Sequence, residues 1–182
     1  INYAYLGKSY KDEEIEKIIN VKNLKNNFIV KKLTEEELLD VVTKELCNSK
    51  IIGWFQGKME WGARALGNRS ILADARNPNI KEIINSKIKR RESFRPFAPA
   101  ILMEHTKDWF EIDKAVPYMS EVYEILMDKR SILPGITHVD GTGRLQTVSQ
   151  TSNPKFYKLV KKFYEKTDIP ILLNTSFNEN EP

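Results

Sequence analysis

Short apolar runs alternate along this chain with stretches of helical periodicity, and that alternation restricts the fold more than any other feature of the sequence. Ile51-Ile52-Gly53-Trp54-Phe55, Phe97 to Met103 and Ile169 to Leu173 are compact apolar runs that read as strands, the first of them as a buried one. Phe28-Ile29-Val30 adds a short strand ahead of the Lys31-Lys32 pair, and the alternation of Arg144-Leu145-Gln146-Thr147-Val148 suits another. Between these lie helices. Thr34 and Glu37 have the spacing of a capping box, after which Leu38, Val41, Val42 and Leu46 recur at helical intervals. Asn77-Pro78 opens a helix with Ile80, Ile83 and Ile84 inward, and Asn153-Pro154 opens one with Phe156, Leu159, Val160 and Phe163 on a single face. Near the N-terminus Ser9 and Asp12 precede an apolar stripe of Ile15, Ile18 and Ile19, with Asp12, Glu13 and Glu14 in the first turn, where the helix dipole favours them. From His105 to Pro134 the pattern is weak. Interleaved strands and helices in 182 residues imply one domain, 1–182, of α/β or α+β class, with a mixed, twisted sheet flanked by helices.

Several function classes drop out early. The lone Cys47 excludes an internal disulfide and a multi-cysteine metal site, and His105 and His138 have no ligand spacing around them, so no metal held by protein side chains is expected. No apolar run approaches the roughly 18 residues that span a bilayer, which leaves no membrane partner and a cytoplasmic location by default. The chain starts with Ile1 rather than Met and stops at Asn180-Glu181-Pro182, so a piece of a longer protein is expected.

Function concentrates between Gly57 and Pro99. That stretch sets ten Lys or Arg side chains against four acidic ones, in a chain whose net charge is only +4. An anionic partner is the consequence. Gly57, Gly62 and Gly67 punctuate a loop carrying Arg64 and Arg69, where glycine lets backbone approach a ligand. On the helix that follows, Lys81, Asn85 and Lys89 recur at intervals of four and so line one edge, and Arg91 and Arg95 come next. A guanidinium meets phosphate or carboxylate through two parallel hydrogen bonds and keeps its charge when partly buried, so Arg64, Arg69, Lys89, Arg91, Arg95 and Arg144 could hold a polyphosphate. Surface pairing with Glu60, Asp74 and Glu92 is the plain alternative for any one of them. Asn174, Ser176 and Asn178 follow the last strand and place short hydrogen-bonding side chains at a sheet edge, as a ligand site or as a turn with a helix cap. Trp54 and Trp61 flank the loop as core residues or as stacking platforms. His138 and Asp140 lack a third partner or a nucleophile and read as loop residues, and no Walker loop, Rossmann fingerprint or catalytic triad is present.

Four segments carry a resemblance: GKMEWGARALGNRSILAD, INSKIKRRESFRPFAPAIL, HVDGTGRLQTV and ILLNTSFN. In this order, over about two thirds of the chain, they resemble the C-terminal half of the O-carbamoyltransferases of nodulation and antibiotic tailoring. The resemblance implies a fold like that of threonylcarbamoyl-adenylate synthase and formation of carbamoyladenylate from carbamoyl phosphate and ATP. It also implies an N-terminal metal-binding transferase domain in the same chain that completes the transfer, and Mg²⁺ bridging the departing pyrophosphate. Residue by residue, Arg64 falls in the family's GPRALG motif, written GARALG here with Ala63 in place of proline. Lys89, Arg91 and Arg95 match its K-x-R-E-x-x-R-P run, Arg144 its GTGRLQTV motif, and Asn174 and Ser176 its NTSFN motif. Lys89, Arg95 and Arg144 are the expected catalytic core, with Arg64, Arg69, Asn85, Arg91, Asn174, Ser176 and Asn178 binding substrate and nucleotide. Two other readings stand beside this one. An RNA-binding or tRNA-modification module would use Trp54, Trp61 and Phe94 as stacking platforms, although a nucleic acid is the less favoured partner. A non-catalytic docking domain would bind neither ATP nor carbamoyl phosphate.

Overall fold

The computed structural model describes residues 3–179. Its first helix, α1 (Asp12–Val21), starts from Lys11, whose backbone N–H donates to the Glu14 carboxylate at 2.9 Å. α2 (Glu35–Cys47) has the expected box: the Thr34 hydroxyl accepts from Glu37 N, and the Glu37 carboxylate accepts from Thr34 N at 2.8 Å. Then come β1 (Ile52–Phe55), β2 (Arg69–Ala73) and α3 (Ile80–Ile83), which runs on as a π-helical segment, Ile84–Lys89. β3 (Ala98–Leu102) leads into a short 3-10 helix, Met103–Asp108, followed by β4 (Val122–Glu124), α4 (Met127–Arg130), β5 (Thr142–Arg144) and β6 (Gln146–Val148). α5 (Pro154–Thr167) and β7 (Ile171–Ser176) complete the described fold.

Five strands make one mixed sheet in the order β1-β2-β7-β3-β6, antiparallel throughout except where β3 and β6 run parallel. β4 and β5 form a separate antiparallel ribbon. Pro99 is tolerated inside β3 because β6 pairs only from Ala100 onward, so on that side no ladder bond needs its missing N–H. The main core joins Leu39, Val42 and Leu46 of α2 to Phe156, Leu159, Val160 and Phe163 of α5 and to Leu72, Ile101 and Leu172 of the sheet. Each such fully buried side chain contributes about 1.5–3 kcal/mol. The expected α/β class, with a mixed sheet flanked by helices, is what the chain adopts.

Several local expectations are corrected. Phe28-Ile29-Val30 forms no strand, and Ile29 is 90% exposed; three β-prone residues without a neighbouring edge have nothing to pair with. β1 is an edge strand in which only Trp54 is buried, so the run read as a buried strand is half solvated. Arg69, assigned to the loop, is the first residue of β2, a strand that the glycine spacing concealed. Leu145 separates β5 in the ribbon from β6 in the main sheet, so the single strand expected there is two. β7 continues through Ser176, so Asn174 and Ser176 lie within the strand rather than beyond it. The apolar stripe of α1 is present, yet no residue of that helix is buried.

Candidate functional site

The loop from Gly57 to Asn68 is held by one carboxylate. Glu60 is buried, and its Oε1 accepts from the backbone N–H groups of Leu66 (2.7 Å), Asn68 (2.7 Å) and Arg69 (3.1 Å). Three amide dipoles converging on one oxygen offset the cost of taking a carboxylate from water. Gly67 has φ +101°, and a Cβ there would stand 2.2 Å from Phe156, so both backbone and packing demand glycine. Behind the loop, Gln56 Nε2 donates to Asn68 Oδ1 (2.7 Å) and Asn153 Oδ1 (2.8 Å). Asn153 Nδ2 donates to the Tyr5 hydroxyl (3.0 Å), which donates to Leu66 O (3.0 Å). Burial pushes the Tyr5 phenol up to about 12, so it remains a donor.

The π-helical end of α3 shapes the second wall. Asn85 Nδ2 donates to Ser93 O (3.1 Å) and Arg95 O (3.0 Å), while its Oδ1 accepts from Arg91 Nε at 2.8 Å. One buried amide therefore folds the turn that presents Arg91 and Arg95. Lys89, 2% exposed, donates through Nζ to Ser176 O (2.5 Å) and Oγ (3.1 Å) and to Asn178 O (2.9 Å) and Oδ1 (2.7 Å). Those bonds tie the helix end to the end of β7. A single-turn π segment at a functional site is a recurrent use of this geometry.

Between these walls and the β4–β5 ribbon lies a cavity of about 400 Å³. Arg64, Arg91, Arg95 and Arg144 line it together with His138 and Asn174, and among the described residues no Asp or Glu belongs to its wall. Thr175 and Ser176 contribute at the strand end. Four guanidinium groups in a concave, partly buried site are suited to an anion with several oxygens. His138, read from the sequence as a loop residue, is a wall residue. The His138 N–H donates to Thr142 O at 2.8 Å, closing the turn that leads to Arg144. The spacing of HVDGTGR held that signal, since a tight turn sets its two ends side by side. Burial lowers the His138 pKa; Asp140 opposes the shift, and Lys81 and Arg144 add to it.

The remaining expected residues stand elsewhere. Arg69 directs its guanidinium to the carbonyls of Gln56 (2.6 Å), Asn68 (2.8 Å), Lys8 (3.0 Å) and Gly57 (3.1 Å), and lies 3.6 Å over the Phe55 ring. It anchors the loop outside the cavity. Asn85, Lys89 and Asn178 are not wall residues but brace those that are. Trp54 belongs to the core, whereas Trp61 is exposed. Guanidinium donors of this kind suit phosphate oxygens. Mg²⁺ prefers carboxylate, phosphate and water oxygen, so the wall residues do not suit a metal held by protein. Among the described residues no group of three or more His, Cys, Asp or Glu side chains could hold a metal ion. Nor is any described helix long and apolar enough to cross a membrane.

The family model described as the carbamoyltransferase C-terminus matches residues 43–182, which takes in every wall residue of the cavity. The chain belongs to this family. A protein of Synechocystis sp. without a functional name is 41% identical over 195 residues, covering 96% of this chain and 31% of the relative. Nodulation protein NolO of Bradyrhizobium diazoefficiens is 49% identical over 138 residues, 74% of this chain and 25% of its own length. The 3'-hydroxymethylcephem-O-carbamoyltransferase of Streptomyces clavuligerus is 37% identical over 139 residues, 76% of this chain and 26% of its own. The chain thus spans about a third or less of the length of these carbamoyltransferase-family relatives. The arginine cavity is accordingly a feature of a carbamoyltransferase C-terminal domain.

Proposed function

We propose that this chain is the carbamoyl-activating part of a carbamoyltransferase, making carbamoyladenylate, phosphate and pyrophosphate from carbamoyl phosphate, water and ATP. The observation that carries the reading is the convergence of Arg64, Arg91, Arg95 and Arg144 on one cavity with no carboxylate among the described residues of its wall, in a chain of this family. Membership of the family supports a role in carbamoyl transfer, and the name of the cephem relative specifies an oxygen as acceptor. Transfer to such an oxygen would fall to the larger remaining part of the protein.

The chemistry asks for fixed positive charge more than for a protein nucleophile. Water and carbamoyl phosphate give carbamate and inorganic phosphate. A carbamate oxygen then forms a bond to the α-phosphorus of ATP while the bond from that phosphorus to the bridging oxygen breaks, its electron pair leaving with pyrophosphate. Arg95 and Arg144 stabilise charge that builds on phosphoryl oxygens, Arg64 and Arg91 hold the outer phosphates, and Lys89 keeps Ser176 and Asn178 in position. The test is exchange of labelled pyrophosphate into ATP by the whole protein. Exchange should require carbamoyl phosphate, and Arg144→Ala should lower it on the order of 100-fold. Exchange that ignores carbamoyl phosphate, or an Arg144→Ala protein as fast as the parent, would sink the proposal.

A further inference from the structure

The arginines of the cavity offer hydrogen bonds of one kind only. Arginine carries five N–H donors and no acceptor, so Arg64, Arg91, Arg95 and Arg144 can grip a phosphoryl group but are blind to an N–H. Asn174 is different. It sits in β7 at the centre of the sheet, opposite Leu72 of β2 and Ala98 of β3, and is 1% exposed while forming part of the cavity wall.

Its amide orientation is fixed by a chain of neighbours. Leu66 O accepts from Gln146 Nε2 at 2.9 Å, which leaves Gln146 Oε1 as an acceptor. That oxygen takes one N–H of Asn174 Nδ2 at 2.8 Å, and Ala65 O takes the other at 3.1 Å. Turning the amide over would set Asn174 Oδ1 against two acceptors. Oδ1 therefore stays where it is, buried and with no hydrogen-bond partner among the described residues. An orphaned buried carbonyl is costly, and a ligand N–H removes that cost.

We infer that Asn174 Oδ1 accepts from the amide N–H of the bound carbamoyl group, and so makes the site select carbamoyl phosphate over acyl phosphates that end in a methyl. The inference builds on the carbamoyl phosphate reading above and adds to it the residue that reads the amide. A pocket that held only the phosphoryl group would bind acetyl phosphate as well as carbamoyl phosphate, since the two differ in NH₂ against CH₃. Placement on the central strand suits the role, because a site held by a sheet is better fixed than one held by a loop.

The test is calorimetric titration of the whole protein with phosphonoacetamide and with 2-oxopropylphosphonate, stable phosphonates that differ only in that NH₂ and CH₃, and with inorganic phosphate as a third probe. The protein should prefer the amide by about 10-fold or more, the equivalent of one hydrogen bond. Asn174→Leu, of similar size but without an acceptor, should bring the two phosphonates to near parity, and Asn174→Ala should do the same. Parity in the unaltered protein, or a preference that survives in Asn174→Leu, overturns the inference and leaves the phosphate site standing. Should the Leu variant not fold, the Ala variant decides: parity supports the assignment and a retained preference overturns it. Failure of all three probes to bind the unaltered protein removes the carbamoyl phosphate reading itself.

Discussion

Helices α1 and α5 have the same kind of sequence and opposite fates. Both carry an apolar stripe at helical spacing and both have a polar start. α5 buries Phe156, Leu159, Val160 and Phe163 completely, whereas α1 buries nothing and leaves Ile18 51% exposed. Periodicity therefore specifies a helix with one apolar face, and only the rest of the molecule decides whether that face is covered. α2 stands between them. It packs on α5, and side chains from both helices carry ion pairs across their outer edges, Lys158 with Glu35 and Lys162 with Asp40.

Four measurements would break or sharpen this contrast. Phe163→Ala in α5 should cost about 3–5 kcal/mol in denaturant unfolding, because it opens a cavity against the sheet. A loss under about 1 kcal/mol would mean that the helix is not part of the cooperative core. Next in size is the cap of α2: Thr34→Ala should cost about 1 kcal/mol by releasing the Glu37 N–H. The same box has an acid limb. The Thr34 backbone N–H, and secondly its hydroxyl, hold the Glu37 carboxyl below the usual carboxylate range. A carboxyl depressed on folding contributes fully above its unfolded pKa, and the contribution fades as pH falls through the folded one. Glu37→Gln should erase that part of the pH dependence in a series of unfolding curves. The smallest effect belongs to α1, where Ile18→Ala should change stability by no more than about 0.5 kcal/mol. A cost comparable to that of Phe163→Ala would show that the face of α1 is covered in solution.

The elements most legible in the sequence were those fixed by neighbours a few residues away. The Thr34–Glu37 box and the four-residue face of α5 need nothing beyond local spacing, and both are present. β2 was hidden because it opens with Arg69 directly after a glycine-rich loop, and its strand character comes from pairing with β1 and β7, which lie on either side of it in space. Phe28–Val30 failed in the reverse sense, having strand propensity without a partner. Among the site residues, Arg64, Arg91, Arg95, Arg144, Asn174 and Ser176 do meet in one cavity wall. Glu60 went unrecognised as a structural anchor, since a carboxylate in a basic stretch looks like an ion-pair partner until its bonds to three backbone amides are seen. Arg69 shows the reverse, a cation engaged by carbonyl groups. In both cases long-range backbone geometry decides, and spacing along the chain carries no trace of it.

The Lys89 ammonium touches both Ser176 and Asn178 while standing at the end of the segment that turns out Arg91 and Arg95. Two sides of the cavity are consequently fastened by one cationic rivet, and neither can be displaced far without stretching its bonds. A ligand that draws the arginine turn inward must carry the tip of β7 with it, so that the arginine turn and the strand-end hydroxyl form a single mechanical degree of freedom.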